Sequence, residues 1–166
     1  VNDGSTDDSL AVILRQRPAS MKIRVIDLSR NFGKEAALTA GLQHAAGEAV
    51  VPIDVDLQDP PELILEMLAK WREGFDVVLA RRSDRSADSW AKRASASAFY
   101  RLHNKIASPR IPENVGDFRL MDRRVVEALG QLPESQRFMK GLFAWVGFRT
   151  AIIDYTRGER AACATN

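Results

Sequence analysis

Two carboxylates set two residues apart, Asp54 and Asp56, are the strongest chemical signal in the chain. Side chains alternate along an extended backbone, so both face the same side, and Gln58 adds an oxygen of the same parity if the extension continues. Hard oxygen donors in this pattern suit Mg²⁺ or Mn²⁺, which bind through one or two carboxylates plus substrate phosphates. The plainer reading of the same tripeptide is a solvated acidic turn. Asp117 follows Gly116 and by itself reads as a turn residue. Lys34 and Glu35 read as solvated helix residues, and Asp7, Asp59 and Asp122 as caps and turns. Arg119, Arg137 and Lys140 are surface charges on the plain reading; gathered near an acidic motif, they complement an anionic ligand. His44 and His103 are isolated and suggest no zinc site.

The elements that must position these residues follow from the pattern of apolar positions. Asp3-Gly4-Ser5 predicts a turn, with Ser5 or Thr6 capping a helix that runs to about Arg17 and stops at Pro18. Ile23–Ile26 is a short β-branched run. Apolar residues recur at helical spacing from Gly33 to Ala46, and Gly47 closes that segment. A strand over Ala49–Ile53 precedes Pro60-Pro61, whose position suits a helix start, and that helix ends near Gly74. A further strand covers Asp76–Ala80. The series is βαβαβ, which predicts an α/β fold with a mostly parallel sheet and helices on both faces. Ligands in such sheets bind beyond the carboxyl ends of the strands, and Asp3, Asp54 and Asp56 all fall at predicted strand ends.

The second half is less regular. Arg81–Asp88 is polar, Ser89–Ile106 reads as a helix, and Pro109–Gly116 is a turn-rich connection into Asp117–Met121. A short helix is expected around Arg123–Leu132. Phe138–Phe148 combines aromatic and basic residues, a pattern that serves either a core-packing helix or a segment lying in a membrane interface.

Composition sets the outer bounds. At 166 residues, 45% hydrophobic and 28% charged, the expectation is one soluble intracellular domain that folds without metal or disulfide. The 24 Lys and Arg against 22 Asp and Glu leave a net charge of +2, which argues against a dedicated nucleic-acid binder. The single cysteine, Cys163, excludes an internal disulfide. No apolar run approaches the roughly 18–20 residues that span a bilayer.

Several motifs in order carry a more specific message. Asp3-Gly4-Ser5-Thr6-Asp7, Asn31-Phe32-Gly33-Lys34-Glu35-Ala36-Ala37-Leu38 and the stretch from Asp54 to Glu62 resemble the GT-A, family 2 glycosyltransferases. Gly116-Asp117-Phe118-Arg119-Leu120-Met121-Asp122-Arg123 and Arg137-Phe138-Met139-Lys140-Gly141-Leu142 are similar to later motifs of the polyprenyl-phosphate subgroup, which contains bactoprenol glucosyltransferases and dolichyl-phosphate mannose synthases. The resemblance covers nearly the whole chain and implies a single GT-A (Rossmann-like) catalytic domain.

It also implies roles. Asp3 would contact the uracil or ribose of a nucleotide sugar, with Lys34 near the nucleotide. Asp54, Asp56 and Gln58 would hold Mg²⁺ or Mn²⁺ on the diphosphate. Asp117 would sit beside the anomeric carbon and the acceptor. Arg119, Arg137 and Lys140 would bind phosphate, and Arg157 and Arg160 would meet the lipid headgroup. The implied partners are a UDP-sugar donor, a polyprenyl-phosphate acceptor and the membrane surface, with no nucleic acid; a homo-oligomeric parent is a further expectation. The family's Pro-x-Tyr-Asn-Glu-like stretch and its membrane helices are not in this sequence. The expectation is therefore a fragment truncated at both ends, from a parent anchored at the cytoplasmic face of the cell membrane.

The reaction expected is inverting transfer of a hexose, glucose in the first instance, from a UDP-sugar to polyprenyl (undecaprenyl) phosphate. A phosphate monoester is largely dianionic at pH 7, with a second pKa of about 6, so this acceptor needs no base. Asp117 is then expected to orient the acceptor or stabilise positive charge on the sugar, with a general-base role the weaker alternative. Two other classes compete: a receiver-like regulatory module, which also gathers acids at strand ends, and a nucleotide-sugar-binding module without turnover. Arg81-Arg82-Ser83 after the strand at Asp76–Ala80 disfavours the receiver scheme.

Overall fold

The computed structural model describes residues 1–56, 58–83, 115–132 and 147–156. Of these, 1–46 belong to one compact unit and those from Gly47 onward to a second.

In the first unit, the backbone of Asn2 pairs with the Ile26–Leu28 segment. Asn2 N–H donates to the Ile26 carbonyl at 2.8 Å and Leu28 N–H to the Asn2 carbonyl at 3.0 Å. The pairing is a single parallel bridge, Asn2 to Asp27, so the run expected as a strand at Ile23–Ile26 is not assigned as one. Helix α1, Ser9–Arg15, is shorter than expected. Its start is delayed because Asn2 Oδ1 accepts from Ser5 N–H at 3.3 Å and Asp7 Oδ1 from Ser9 N–H at 3.0 Å, which draws the predicted capping region into turns. Helix α2, Lys34–His44, lies within the predicted span. Gly4 is obligatory before α1: at φ +68°, an added Cβ would stand 2.4 Å from backbone atoms of Arg30 and Asn31, a clash no side chain tolerates.

The second unit is built on a four-stranded sheet. Its strands are β1 (Ala49–Val50), β2 (Val77–Arg82), β3 (Val115–Asp122) and β4 (Thr150–Tyr155), in the order β1-β3-β2-β4. Helix α3 (Leu63–Arg72) precedes β2, and α4 (Arg123–Gly130) follows β3. The α/β class is as expected. The sheet is mixed, because β3 enters antiparallel to both β1 and β2 while β2 and β4 run parallel.

The core explains why these segments assemble. Val77–Ala80 is buried at every position, the continuous apolar run of a strand covered on both faces. Met67 of α3 joins Val78, Ala80, Phe118, Leu120, Ile153 and Tyr155 in one cluster, with Leu63, Ile64, Leu68 and Trp71 packed against it. Those α3 positions recur at helical spacing, which is the stripe a surface helix buries. In α4, Val125, Val126 and Leu129 are buried in the same way. Asp122 caps α4 by accepting from Arg124 N–H at 2.9 Å, as its assignment to a cap anticipated. The Ser89–Ile106 and Phe138–Phe148 helical readings lie outside the described residues, apart from the last two positions, 147 and 148.

Candidate active site

Asp3 lies one residue past the Asn2 bridge. Its Oδ1 accepts from Phe32 N–H at 2.8 Å and its Oδ2 from Gly33 N–H at 2.9 Å. The carboxylate thereby holds the turn that opens α2, where Gly33 sits at φ +92°. A carboxylate offers about four acceptor sites, so these two bonds leave room for a further donor. Lys34 is exposed in the first turn of α2. The Arg30 guanidinium stacks over the half-exposed Phe32 ring at 4.1 Å.

In the second unit, the acidic segment alternates as the sequence predicted, with an inversion. Ile53 is 43% and Val55 94% exposed, whereas Asp54, Asp56 and Gln58 are half-buried. Apolar groups outward and acids inward is the reverse of an ordinary solvent-facing segment, and places the oxygens on the sheltered side. Gln58 N–H donates to Asp56 Oδ1 at 3.2 Å, an Asx-type turn that bends the chain after Asp56.

β3 brings the other singled-out residues. β1 pairs with it antiparallel, Ala49 to Asp122 and Val50 to Met121. That pairing ends at Val50, so the strand expected over Ala49–Ile53 is only two residues long and Asp54 lies four residues beyond it. Along β2, Leu79 pairs with Arg119 but Arg81 with Val115, so two steps on β2 match four on β3. Gly116 and Asp117 thus fall in a bulge, a device that re-aims side chains and recurs beside active sites. Arg119 closes the bulge: its guanidinium donates to the carbonyls of Gly116 and Asp117. It is only 4% exposed. Burial pulls its pKa down to about 10, against the opposing pull of the Asp117 charge, and at that value it remains a cation at neutral pH. As positioned, Arg119 acts on the backbone that carries Asp117 through two of its five N–H donors.

Two residues at the same end of the sheet are not among the site residues singled out from the sequence. Arg82, the last residue of β2, has a buried Nε with no hydrogen-bond partner among the described residues. A buried donor of this kind is costly unless an acceptor joins it. Its neighbour Arg81 is committed instead to a bidentate pair with Asp154, at 2.6 and 2.8 Å. Tyr155, opposite Arg82 in the β2–β4 register, donates its hydroxyl to Asp59. The alternation in Thr150–Tyr155, with Ile153 and Tyr155 buried and Thr150, Ile152 and Asp154 exposed, is a strand signature that could have revealed β4 and its tyrosine.

The donor set fits one kind of metal. Among the described residues, no group of three or more His, Cys, Asp or Glu side chains is arranged to hold an ion. Asp54, Asp56 and Gln58 contain two carboxylates and an amide oxygen, hard donors that an ion would share with phosphate and water. That is the habit of Mg²⁺ and Mn²⁺ rather than of zinc or calcium. Arg137, Lys140, Arg157 and Arg160 lie outside the described residues. No described helix is long and apolar enough to cross a membrane.

The fold is a mixed α/β sheet, with a D-x-D segment after β1 and a bulged aspartate on β3. The model of glycosyl transferase family 2 matches residues 1–130, and the chain belongs to that family. Within it, the chain is 54% identical over 162 residues to the bactoprenol glucosyl transferase of Shigella phage SfV, covering 98% of this chain and 53% of the relative. It is 53% identical over 162 residues to a prophage bactoprenol glucosyl transferase homolog of Escherichia coli K12, with 98% and 53% covered. An uncharacterized glycosyltransferase of Synechocystis is 52% identical over 160 residues, with 96% and 50% covered. The chain spans about half the length of the curated relatives it matches.

Proposed function

We propose that this chain is the catalytic domain of an inverting, divalent-metal-dependent transferase that moves glucose from UDP-glucose to polyprenyl (undecaprenyl) phosphate at the cytoplasmic membrane face. What supports the chemistry is the acidic segment, with Asp54 and Asp56 half-buried in alternation with the exposed Ile53 and Val55, together with Asp117 in the β3 bulge of the same unit. The similarity to bactoprenol glucosyl transferases supports the sugar and the lipid acceptor.

In this reading Asp54, Asp56 and Gln58 hold Mg²⁺ or Mn²⁺. When bound, the ion supplies a Lewis acid that draws charge from the departing diphosphate. Asp3, with acceptor capacity remaining, takes a donor from the nucleotide, and Lys34 supports the nucleotide's charge. The acceptor phosphate is already a nucleophile at neutral pH, so Asp117 orients it and stabilises positive charge developing on the sugar. Arg119 keeps the Asp117 backbone in place. Arg82 joins Arg137, Lys140, Arg157 and Arg160 as a phosphate ligand, since an incoming phosphate oxygen satisfies its buried Nε.

Titration with UDP-glucose tests the donor half of this reading. Binding in Mn²⁺ that is lost on adding EDTA is expected; equal binding under both conditions, or none, overturns it. Transfer to polyprenyl phosphate by the full-length protein tests the acceptor half. Donor binding without turnover there would make it a nucleotide-sugar-binding module instead.

A further inference from the structure

The acidic segment has a tie to the sheet that neither a metal ligand nor an ordinary turn requires. Asp59 is 8% exposed, and a carboxylate so buried must be compensated by strong hydrogen bonding. The Tyr155 hydroxyl provides such a bond from 96 residues away in sequence. Tyr155 is itself immobilised. Ser83 N–H and Oγ donate to its carbonyl at 2.9 and 3.0 Å, and the Phe118 ring meets its ring edge-on at 6.3 Å between centroids. Strands β2, β3 and β4 therefore determine where the hydroxyl stands.

On the other side, Asp59 is followed by Pro60 and Pro61. Neither has an N–H to anchor the loop, and both restrict the backbone. Their carbonyls accept from Leu63 and Ile64 N–H at 3.2 and 3.0 Å, which joins the loop to the start of α3. Asp59 is thus the point at which the acidic segment is pinned. Asp56 is only three residues upstream, a reach of at most about 10 Å of chain, so an anchored Asp59 bounds how far Asp56 can stand from it.

We infer that Asp59 and Tyr155 are positioning residues that preset the Asp54–Gln58 segment for divalent-metal binding. The inference rests on the metal assignment proposed above. Outer groups that orient metal ligands typically alter affinity about 10- to 100-fold when removed, and a hydrogen bond acting through three residues belongs at the lower end. Tyr155→Phe keeps the ring against Phe118 and removes only the hydroxyl. Asp59→Leu removes the acceptor, whereas Asp59→Asn retains a carbonyl oxygen for Tyr155.

The test is calorimetric titration of the 166-residue chain with Mn²⁺ in the presence of UDP, with thermal midpoints recorded alongside. Tyr155→Phe and Asp59→Leu should each weaken Mn²⁺ binding about tenfold, and the double variant no more than either alone. Asp59→Asn should stay within about threefold of the unsubstituted chain, because the retained acceptor preserves the orienting bond. Asp56→Ala serves as the control and should abolish binding. If Asp56→Ala binds normally, or the unsubstituted chain does not bind, the metal assignment fails and the inference with it. If Asp56→Ala loses binding while Tyr155→Phe and Asp59→Leu keep it, the metal assignment stands and the positioning role is overturned. Lowered midpoints at unchanged affinity overturn that role likewise. Should Tyr155→Phe not fold, the contrast between Asp59→Asn and Asp59→Leu decides, equal affinities overturning the inference.

Discussion

Asp117 and Arg119 stand two residues apart on one strand and live in different surroundings. Asp117 is half-buried in the bulge, while Arg119 is enclosed and turned back on the carbonyls of Gly116 and Asp117. Replacing Arg119 with Leu removes the charged donor from the Gly116 and Asp117 carbonyls, and chemical denaturation should register a loss of about 1–3 kcal/mol. Asp117→Asn keeps size and polarity but removes the charge. Donor binding should persist, while transfer by the full-length enzyme falls by orders of magnitude; near-normal transfer would return Asp117 to the status of a turn residue. Asp56→Ala should instead abolish metal-dependent UDP-glucose binding, as calorimetry would record.

At the scale of elements, Asp122 joins β3, α3 and α4. Its carboxylate accepts from Arg124 N–H and from the Trp71 indole at 2.8 Å, and pairs with the Arg124 guanidinium at 3.2 Å. Burial alone raises its pKa; the bonds from Arg124 and Trp71 and the Arg124 charge outweigh burial and hold it below its ordinary value. A carboxylate depressed in the folded state contributes stability that is present above its unfolded pKa and lost as pH falls through the folded value. Urea midpoints measured on descending from neutral pH into the acid range should therefore fall less steeply for Asp122→Asn than for the unsubstituted chain. Asp122→Ala also removes the α4 cap, a loss of about 0.5–2 kcal/mol at neutral pH.

For the whole molecule, stability and ligand binding are linked through the second unit. Met67 is fully buried against Val78, Leu120 and Ile153 in its core cluster. Met67→Ala should cost about 2–5 kcal/mol in denaturant unfolding, because the surrounding strands cannot collapse into the space. A ligand that binds only the folded state stabilises by about 2.7 kcal/mol at a hundredfold excess over its Kd. Mn²⁺ with UDP-glucose should accordingly raise the thermal midpoint, and EDTA should remove the increase. A midpoint indifferent to both would count against the donor site.

Much of this protein is legible from local pattern. The apolar spacing of α2, α3 and α4, the Gly74 stop at φ +93°, the Asp122 cap and the parity of Asp54, Asp56 and Gln58 all express near-neighbour chemistry, and the ordered motifs carry the family. Other features depend on partners far away in sequence. β3 reads only as the sequel to a turn, although Phe118 and Leu120 alternate with Asp117 and Arg119 at strand period; its pairing with β1 and β2 makes it a strand. Arg119 reads as a surface cation until the sheet encloses it. Asp59 reads as a turn residue until Tyr155, 96 residues away on β4, reaches it. Arg82 gains meaning only when its buried Nε is seen to lack an acceptor among the described residues. Helical stripes and caps are written within a few residues of chain, whereas strand direction, bulges and buried polar pairs are decided by which distant segments meet.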